Sequence, residues 1–214
     1  MSIRAYHWIA VLGIVLGAPV VLGGGANNCI DAVPIVGEGT FAFDNVTATT
    51  DGPAHNACMA FGETQISNDV WYCWTADSDD AIVVETCGGT TVDSKIAVYG
   101  DCFCPPTDAD LVECSDDACG IQSRVIVSAT SGETLLLRIG TFPGAGGGTG
   151  TFTVTACPGD VDLDGMVNVT DLGILLANFG ASVSINADGD LNGDGQVNIT
   201  DLGELLASFG LTCF

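Results

Sequence analysis

One loop pattern occurs twice near the C-terminus, thirty residues apart, and it constrains that part of the chain more than any other feature. Oxygen-bearing side chains stand at loop positions 1, 3, 5, 9 and 12 in both copies. They are Asp160, Asp162, Asp164, Asn168 and Asp171 in the first, and Asp190, Asn192, Asp194, Asn198 and Asp201 in the second. Gly165 and Gly195 occupy position 6, where the chain must turn sharply. Met166 and Gln196 at position 7 would offer backbone carbonyls. This is the spacing of a calcium loop, and two copies in one register argue against a merely solvated acidic turn.

The donors are hard oxygens rich in carboxylate. Two Ca2+ ions are therefore expected, one per loop. Magnesium resists so many protein ligands, and zinc favours nitrogen or sulfur. Asp171 and Asp201 stand where an EF-hand carries Glu, one methylene longer, so the loop must close more tightly. Asn168 and Asn198 also head glycosylation sequons, a coincidence if each is a ligand; Asn45 heads the one sequon outside the loops.

A short helix should follow each loop. Leu172, Leu175, Leu176 and Phe179 recur at helical spacing, as do Leu202, Leu205, Leu206 and Phe209. Gly180 and Gly210 should end the helices at C′. No helical pattern precedes either loop, so each repeat is half an EF-hand. The two apolar faces should pack on each other, with Val167 and Val197 at position 8 pairing the loops through a short β-bridge.

The remaining chain is a different material. Of 214 residues, 27 are acidic, only 4 are Lys or Arg, and the net charge is -23. Nucleic acid and anionic membrane surfaces would repel it. Yet 47% is hydrophobic and only 14% charged, unlike a disordered acidic tail. Residues 1–26 carry Arg4, then an apolar run to Gly23, then Gly24, Gly25 and Ala26. That is the pattern of a secretory signal peptide, with a retained anchor as the other reading. Its removal would leave no stable membrane span and a secreted or cell-surface protein.

All 10 Cys follow Ala26. An even count in a secreted chain reads as a disulfide framework rather than a zinc site, whose spacing Cys102, Cys104, Cys114 and Cys119 do not match. Eight Cys, from Cys29 to Cys119, fall in the strand-rich part of the chain, and their connectivity is open. Cys157 and Cys213 flank the calcium repeats and are expected to pair, clasping the ends of residues 158–214.

Residues 27–157 read as seven or eight short strands. Runs such as Thr40–Phe43, Val70–Thr75, Ala81–Glu85, Lys95–Tyr99, Arg124–Ser128, Thr134–Ile139 and Thr151–Thr155 are separated by Gly and Pro turns. The expected class is mainly β, an antiparallel β-sandwich or jelly roll, with a small C-terminal α module of two loop-helix repeats. Gly144–Gly150 lacks the Lys-Ser/Thr ending of a phosphate loop and reads as a hairpin loop. Trp71 and Trp74 should face opposite sides of one strand, one in the core and the other either exposed to a glycan or, on the plainer reading, buried too. His55 reads as a turn or surface residue. With no nucleophile elbow in the chain, no catalytic residue is assigned.

Asn28-Cys29, Ala32 to Ile35, Ala48 to Pro53, Asn68 to Tyr72 and Arg138 to Gly140 together resemble a secreted bacterial β-sandwich of the pre-peptidase C-terminal and CUB-like groups. Such modules are usually accessory. The repeats, each with Val-Asn-x-Thr-Asp-Leu over positions 8 to 13, resemble the type I dockerin module. That resemblance implies calcium binding and docking onto a cohesin-like module or other extracellular protein, often in polysaccharide-degrading systems. Val169-Thr170 and Ile199-Thr200 occupy the positions where family contacts concentrate, but the helices lack basic residues. The alternative is a carbohydrate-binding or adhesive sandwich in which the calcium unit is a structural clasp.

Overall fold

Runs rich in Val, Ile, Thr and aromatic residues fit a pleated, half-buried surface, and that is where the strands form. The computed structural model describes residues 24–184 and 187–213. The proposed signal peptide lies outside the described residues as far as residue 23. Its last residue, Ala26, exchanges two backbone hydrogen bonds with Trp71, at 2.9 and 3.2 Å.

Nine strands are present among the described residues: β1 (Val33–Val36), β2 (Gly39–Asp44), β3 (Ser67–Thr75), β4 (Asp80–Glu85), β5 (Ser94–Gly100), β6 (Leu111–Asp116), β7 (Arg124–Ala129), β8 (Thr134–Thr141) and β9 (Thr149–Cys157). They make a five-stranded sheet ordered β1-β3-β8-β5-β6 and a four-stranded sheet ordered β2-β9-β4-β7. Every pairing of these strands is antiparallel except β1 with β3, so the expected antiparallel sandwich carries one parallel pairing, at an edge. The helices α1 (Val169–Ala177) and α2 (Ile199–Ala207) follow. No described helix is long and apolar enough to cross a membrane.

The central core lies between the sheets and includes Tyr72, Trp74, Ile82, Val84, Ile96, Leu137 and Phe152. The outer face of each sheet is covered as well. On the five-stranded sheet, Trp71, Ala97, Tyr99 and Leu136 pack under Cys29, Cys58 and Ile66. On the four-stranded sheet, Ala81, Val83 and Cys157 meet Val167, Leu175, Val197 and Leu205 of the C-terminal repeats. The described residues therefore stack in four layers: disulfide-bonded loops, two sheets and the C-terminal loop-helix repeats. Both tryptophans are consequently buried, Trp71 at 0% and Trp74 at 1% exposure, on opposite faces of β3 as expected, and the core reading holds for both.

All ten Cys pair: Cys29–Cys104, Cys58–Cys114, Cys73–Cys102, Cys87–Cys119 and Cys157–Cys213. The last is the expected clasp. Five disulfides belong to an oxidising, extracytoplasmic compartment. Asn45 is fully buried, and its Oδ1 accepts from the Gly148 N–H at 2.7 Å, so the sequon it heads is not presented on the surface.

Candidate metal centre

The first loop is folded by its own backbone. The Asp160 carboxylate accepts N–H bonds from Asp164 (3.1 Å) and Gly165 (2.8 Å). Asp164 accepts from Met166 at 2.8 Å. Asp171, at position 12, accepts from Val161 (2.8 Å), Asp162 (3.2 Å) and Asn168 (2.8 Å). Position 12 is thus tied across the loop to positions 2, 3 and 9. The second loop repeats every one of these bonds. Asp190 accepts from Asp194 (3.2 Å) and Gly195 (2.9 Å), Asp194 accepts from Gln196 (2.8 Å), and Asp201 accepts from Leu191 (2.9 Å), Asn192 (3.2 Å) and Asn198 (2.7 Å). Gly165 and Gly195 have φ of +83° and +79°, the left-handed turn expected at position 6.

Positions 9 to 12 do a second job that the spacing alone did not reveal. Asn168 is the N-cap of α1: its side chain accepts from Thr170 N–H, and Asp171 at N3 accepts from Asn168 N–H. Asn198 and Asp201 form the same capping box on α2. The Asn-x-x-Asp pattern was visible in the sequence as a helix start. Each carboxylate at N3 also sits at the positive end of its helix. A loop that gathers ligands therefore also starts the helix that anchors it.

The oxygens converge. One carboxylate oxygen each of Asp160, Asp162 and Asp164 lies within 4.8 Å of the others. An ion with bonds of about 2.3–2.6 Å sets opposite ligands about 5 Å apart, so the spread suits calcium. Asp160 is nearly buried. Its carboxyl is pushed up to about 6, first by burial and then by the charges of Asp171 and Asp164, against the backbone N–H bonds that lower it. Asp162 is raised too, by burial first and then by Asp171 and Asp164. These are carboxylates crowded without a countercharge, a donor set that a hard cation fits. The Met166 and Gln196 carbonyls accept from Asn168 Nδ2 (3.2 Å) and Asn198 Nδ2 (3.3 Å), which holds positions 7 and 9 together in each loop.

The position-8 bridge differs from expectation. Val167 and Val197 are buried together but do not hydrogen-bond each other. Val167 N–H donates to Leu211 O at 3.0 Å, and Gly210 N–H donates to Val167 O at 2.8 Å. Val197 does the same with Ala181 and Gly180, at 3.1 and 2.8 Å. Each loop thus pairs with the chain leaving the other repeat's helix. Gly180 and Gly210, placed two residues past the C-caps Asn178 and Ser208, supply those N–H groups instead of occupying C′.

The apolar stripes also divide. Leu175 and Leu205 are fully buried against the sandwich, while Leu176, Phe179, Leu206 and Phe209 are exposed. At position 10, Val169 and Ile199 are 73% and 70% exposed.

His55 is buried rather than superficial: its Nδ1 pairs with Asp108, its ring lies 5.3 Å from that of Tyr99, and its Nε2 has no hydrogen-bond partner. Arg138, also fully buried, donates to Asp69 at 2.7 Å and to the Pro53, Gly52 and Ile66 carbonyls, locking the 52–66 segment onto the five-stranded sheet.

No family model matches the chain, and no curated protein matches it. Among solved structures it is similar to the pre-peptidase C-terminal domain of a collagenase from Bacillus anthracis, at 12% identity. The likeness covers 58% of this chain and 95% of that one, with a TM-score of 0.38. At that distance it carries no functional weight, and the sandwich assignment rests on the two sheets described above.

Proposed function

We propose that residues 158–214 form a calcium-dependent docking unit that joins a secreted, non-catalytic β-sandwich to another extracellular protein. Two Ca2+ ions are assigned, one to Asp160, Asp162, Asp164, Met166, Asn168 and Asp171, the other to Asp190, Asn192, Asp194, Gln196, Asn198 and Asp201. Calcium would supply a positive charge to these crowded carboxylates and hold each helix start in place.

The observation that carries the reading is the pair of exposed β-branched residues at equivalent positions. Val169 and Ile199 each begin a capped helix and point their apolar side chains to solvent. Leu176 and Leu206 extend the exposed apolar surface along the same helices. Large apolar residues left exposed at matching places in two repeats favour a protein partner. The strongly acidic chain favours a neutral or basic one. A cohesin-like module in a polysaccharide-degrading assembly is the partner the dockerin resemblance implies. The carbohydrate-binding alternative loses its tryptophan platform, since both indoles are buried.

The test is capture by the full chain, immobilised in calcium and eluted with EDTA. One partner should be retained by the wild type and lost by Val169→Asp/Ile199→Asp, with calcium stoichiometry unchanged. Binding that survives that variant would overturn the exposed helix starts as the docking surface, and an empty eluate with calcium bound would make the unit a structural clasp.

A further inference from the structure

A second group of acids lies away from the loops, at the β6 edge of the five-stranded sheet. Asp93 immediately precedes β5, Asp116 ends β6, and Asp117 follows it. One carboxylate oxygen from each lies within 4.8 Å of the others. The Asp116 side chain is only 4% exposed, yet neither of its oxygens has a hydrogen-bond partner. A buried carboxylate without donors is strongly disfavoured. Its one cationic neighbour is Lys95, whose Nζ stands 3.6 Å from Asp116 Oδ2, too far for a hydrogen bond. Lys95 instead donates to the Cys58 carbonyl at 2.9 Å and the Glu63 carbonyl at 3.4 Å. Three carboxylates against one ammonium leave two negative charges.

We propose that Asp93, Asp116 and Asp117 hold a calcium ion in the β-sandwich, separate from the C-terminal loops. The donors are hard oxygens, and their spread matches ligands around an ion with bonds of about 2.3–2.6 Å. Zinc would want nitrogen or sulfur, and magnesium demands a smaller, regular octahedron. A divalent ion would balance the net charge and give the Asp116 oxygens a closer partner than the Lys95 ammonium at 3.6 Å. Asp117 is exposed and forms the open side, through which water can complete the coordination. The Cys58–Cys114 and Cys87–Cys119 bonds pin the chain on both sides of Asp116 and Asp117, so the carboxylates are held near each other before the ion arrives. The ion would fasten the end of β6 to the start of β5 on an edge otherwise open to solvent.

Native mass spectrometry of the full chain in calcium counts the ions directly. The wild type should carry one more ion than Asp117→Asn, a change at an exposed residue that leaves the core intact. Asp160→Ala/Asp190→Ala, which disables both loops, should retain one ion, and adding Asp117→Asn should remove it. If the loops themselves fail to bind, the wild type still carries one ion and Asp117→Asn none, so the two assignments fail separately. Equal stoichiometry in the wild type and Asp117→Asn, or no ion on the loop-disabled protein, overturns the sandwich site.

Discussion

Val167 and Val197 hold equivalent places in the two repeats, and each is hydrogen-bonded to the strand leaving the other repeat's helix: Gly210 N–H reaches Val167 O and Gly180 N–H reaches Val197 O, both at 2.8 Å. Neither loop can therefore loosen alone. Disorder in the first frees the exit of α2, and disorder in the second frees the exit of α1.

The prediction is coupling between the metal sites. Asp160→Ala removes a ligand from the first loop only. Calcium affinity at the second should fall several-fold as well, because the ordering cost now falls on one binding event. Calorimetric titration of the variant against wild type reads this directly. A second site of unchanged affinity would mean that the two loops are independent despite their crossed bridges.

A pH dependence follows from the crowded carboxylates. Burial raises Asp160 to about 6, and raises Asp162, Asp80 and Glu204 above their ordinary values as well. Asp93 and Asp116 in the sandwich shift in the same direction, also by burial. Asp110, on the surface, shifts the other way through its bonds to Thr107. For an acid raised on folding, the folded chain holds protons that the unfolded chain has released. The stability this gives is full below the unfolded value, near 4, and is lost as pH rises through the folded value, near 6 for Asp160. Metal-free protein in EDTA should therefore melt at a lower temperature at pH 7 than at pH 5. Saturating calcium should abolish or reverse that trend, since the ion takes the ionised form. A melting temperature in EDTA that holds steady or climbs from pH 5 to 7 would count against the whole account of these carboxylates.

The clasp between Cys157 and Cys213 joins the last residue of β9 to the end of the second repeat, with a sequence separation of 56. In the chain-entropy model a loop of that size is worth about 4 kcal/mol. Cys157→Ser/Cys213→Ser should lose up to that amount in chemical denaturation, and more of it should appear without calcium than with it. Cys157 is fully buried beside Val83 and Leu175, so part of the loss will come from the packing of the module on the sheet. Equal losses with and without calcium would mean that the bond does not share its work with the metal.

The sequence was most informative where chemistry repeats locally. The two loop turns, the two helices and the strands rich in Val and Ile are all set by neighbours along the chain. β1 is masked by Pro34, which argues against a strand unless it lies at an edge, as it does here. β6 is masked by its Glu, Cys, Ser and Asp composition and is the other edge. Period-two alternation puts Trp71 and Trp74 on opposite faces but does not say what covers the outer one; that face is covered by loops held through Cys29 and Cys58, whose bridges reach 75 and 56 residues along the chain. The crossed bridges of Val167 and Val197 and the grouping of Asp93 with Asp116 depend on tertiary placement in the same way. No spacing rule announces them.

The first loop carries a strain that the second avoids. Leu163, at position 4, has φ of +59°, while the equivalent Gly193 has φ of +69°. A left-handed conformation costs a branched-chain L-residue about 1–2 kcal/mol and a glycine almost nothing. Leu163 is partly exposed, so little packing is lost on removing its side chain. Leu163→Gly should therefore tighten calcium binding at the first loop, by up to about tenfold if about 1.4 kcal/mol of strain is released. The greater entropy of glycine in the unfolded chain will offset part of the gain in overall stability, so affinity is the cleaner readout than melting temperature. The reciprocal change, Gly193→Leu, should weaken the second loop. An affinity for calcium that is indifferent to both substitutions would show that position 4 reaches this conformation at no cost and that the two loops differ for another reason.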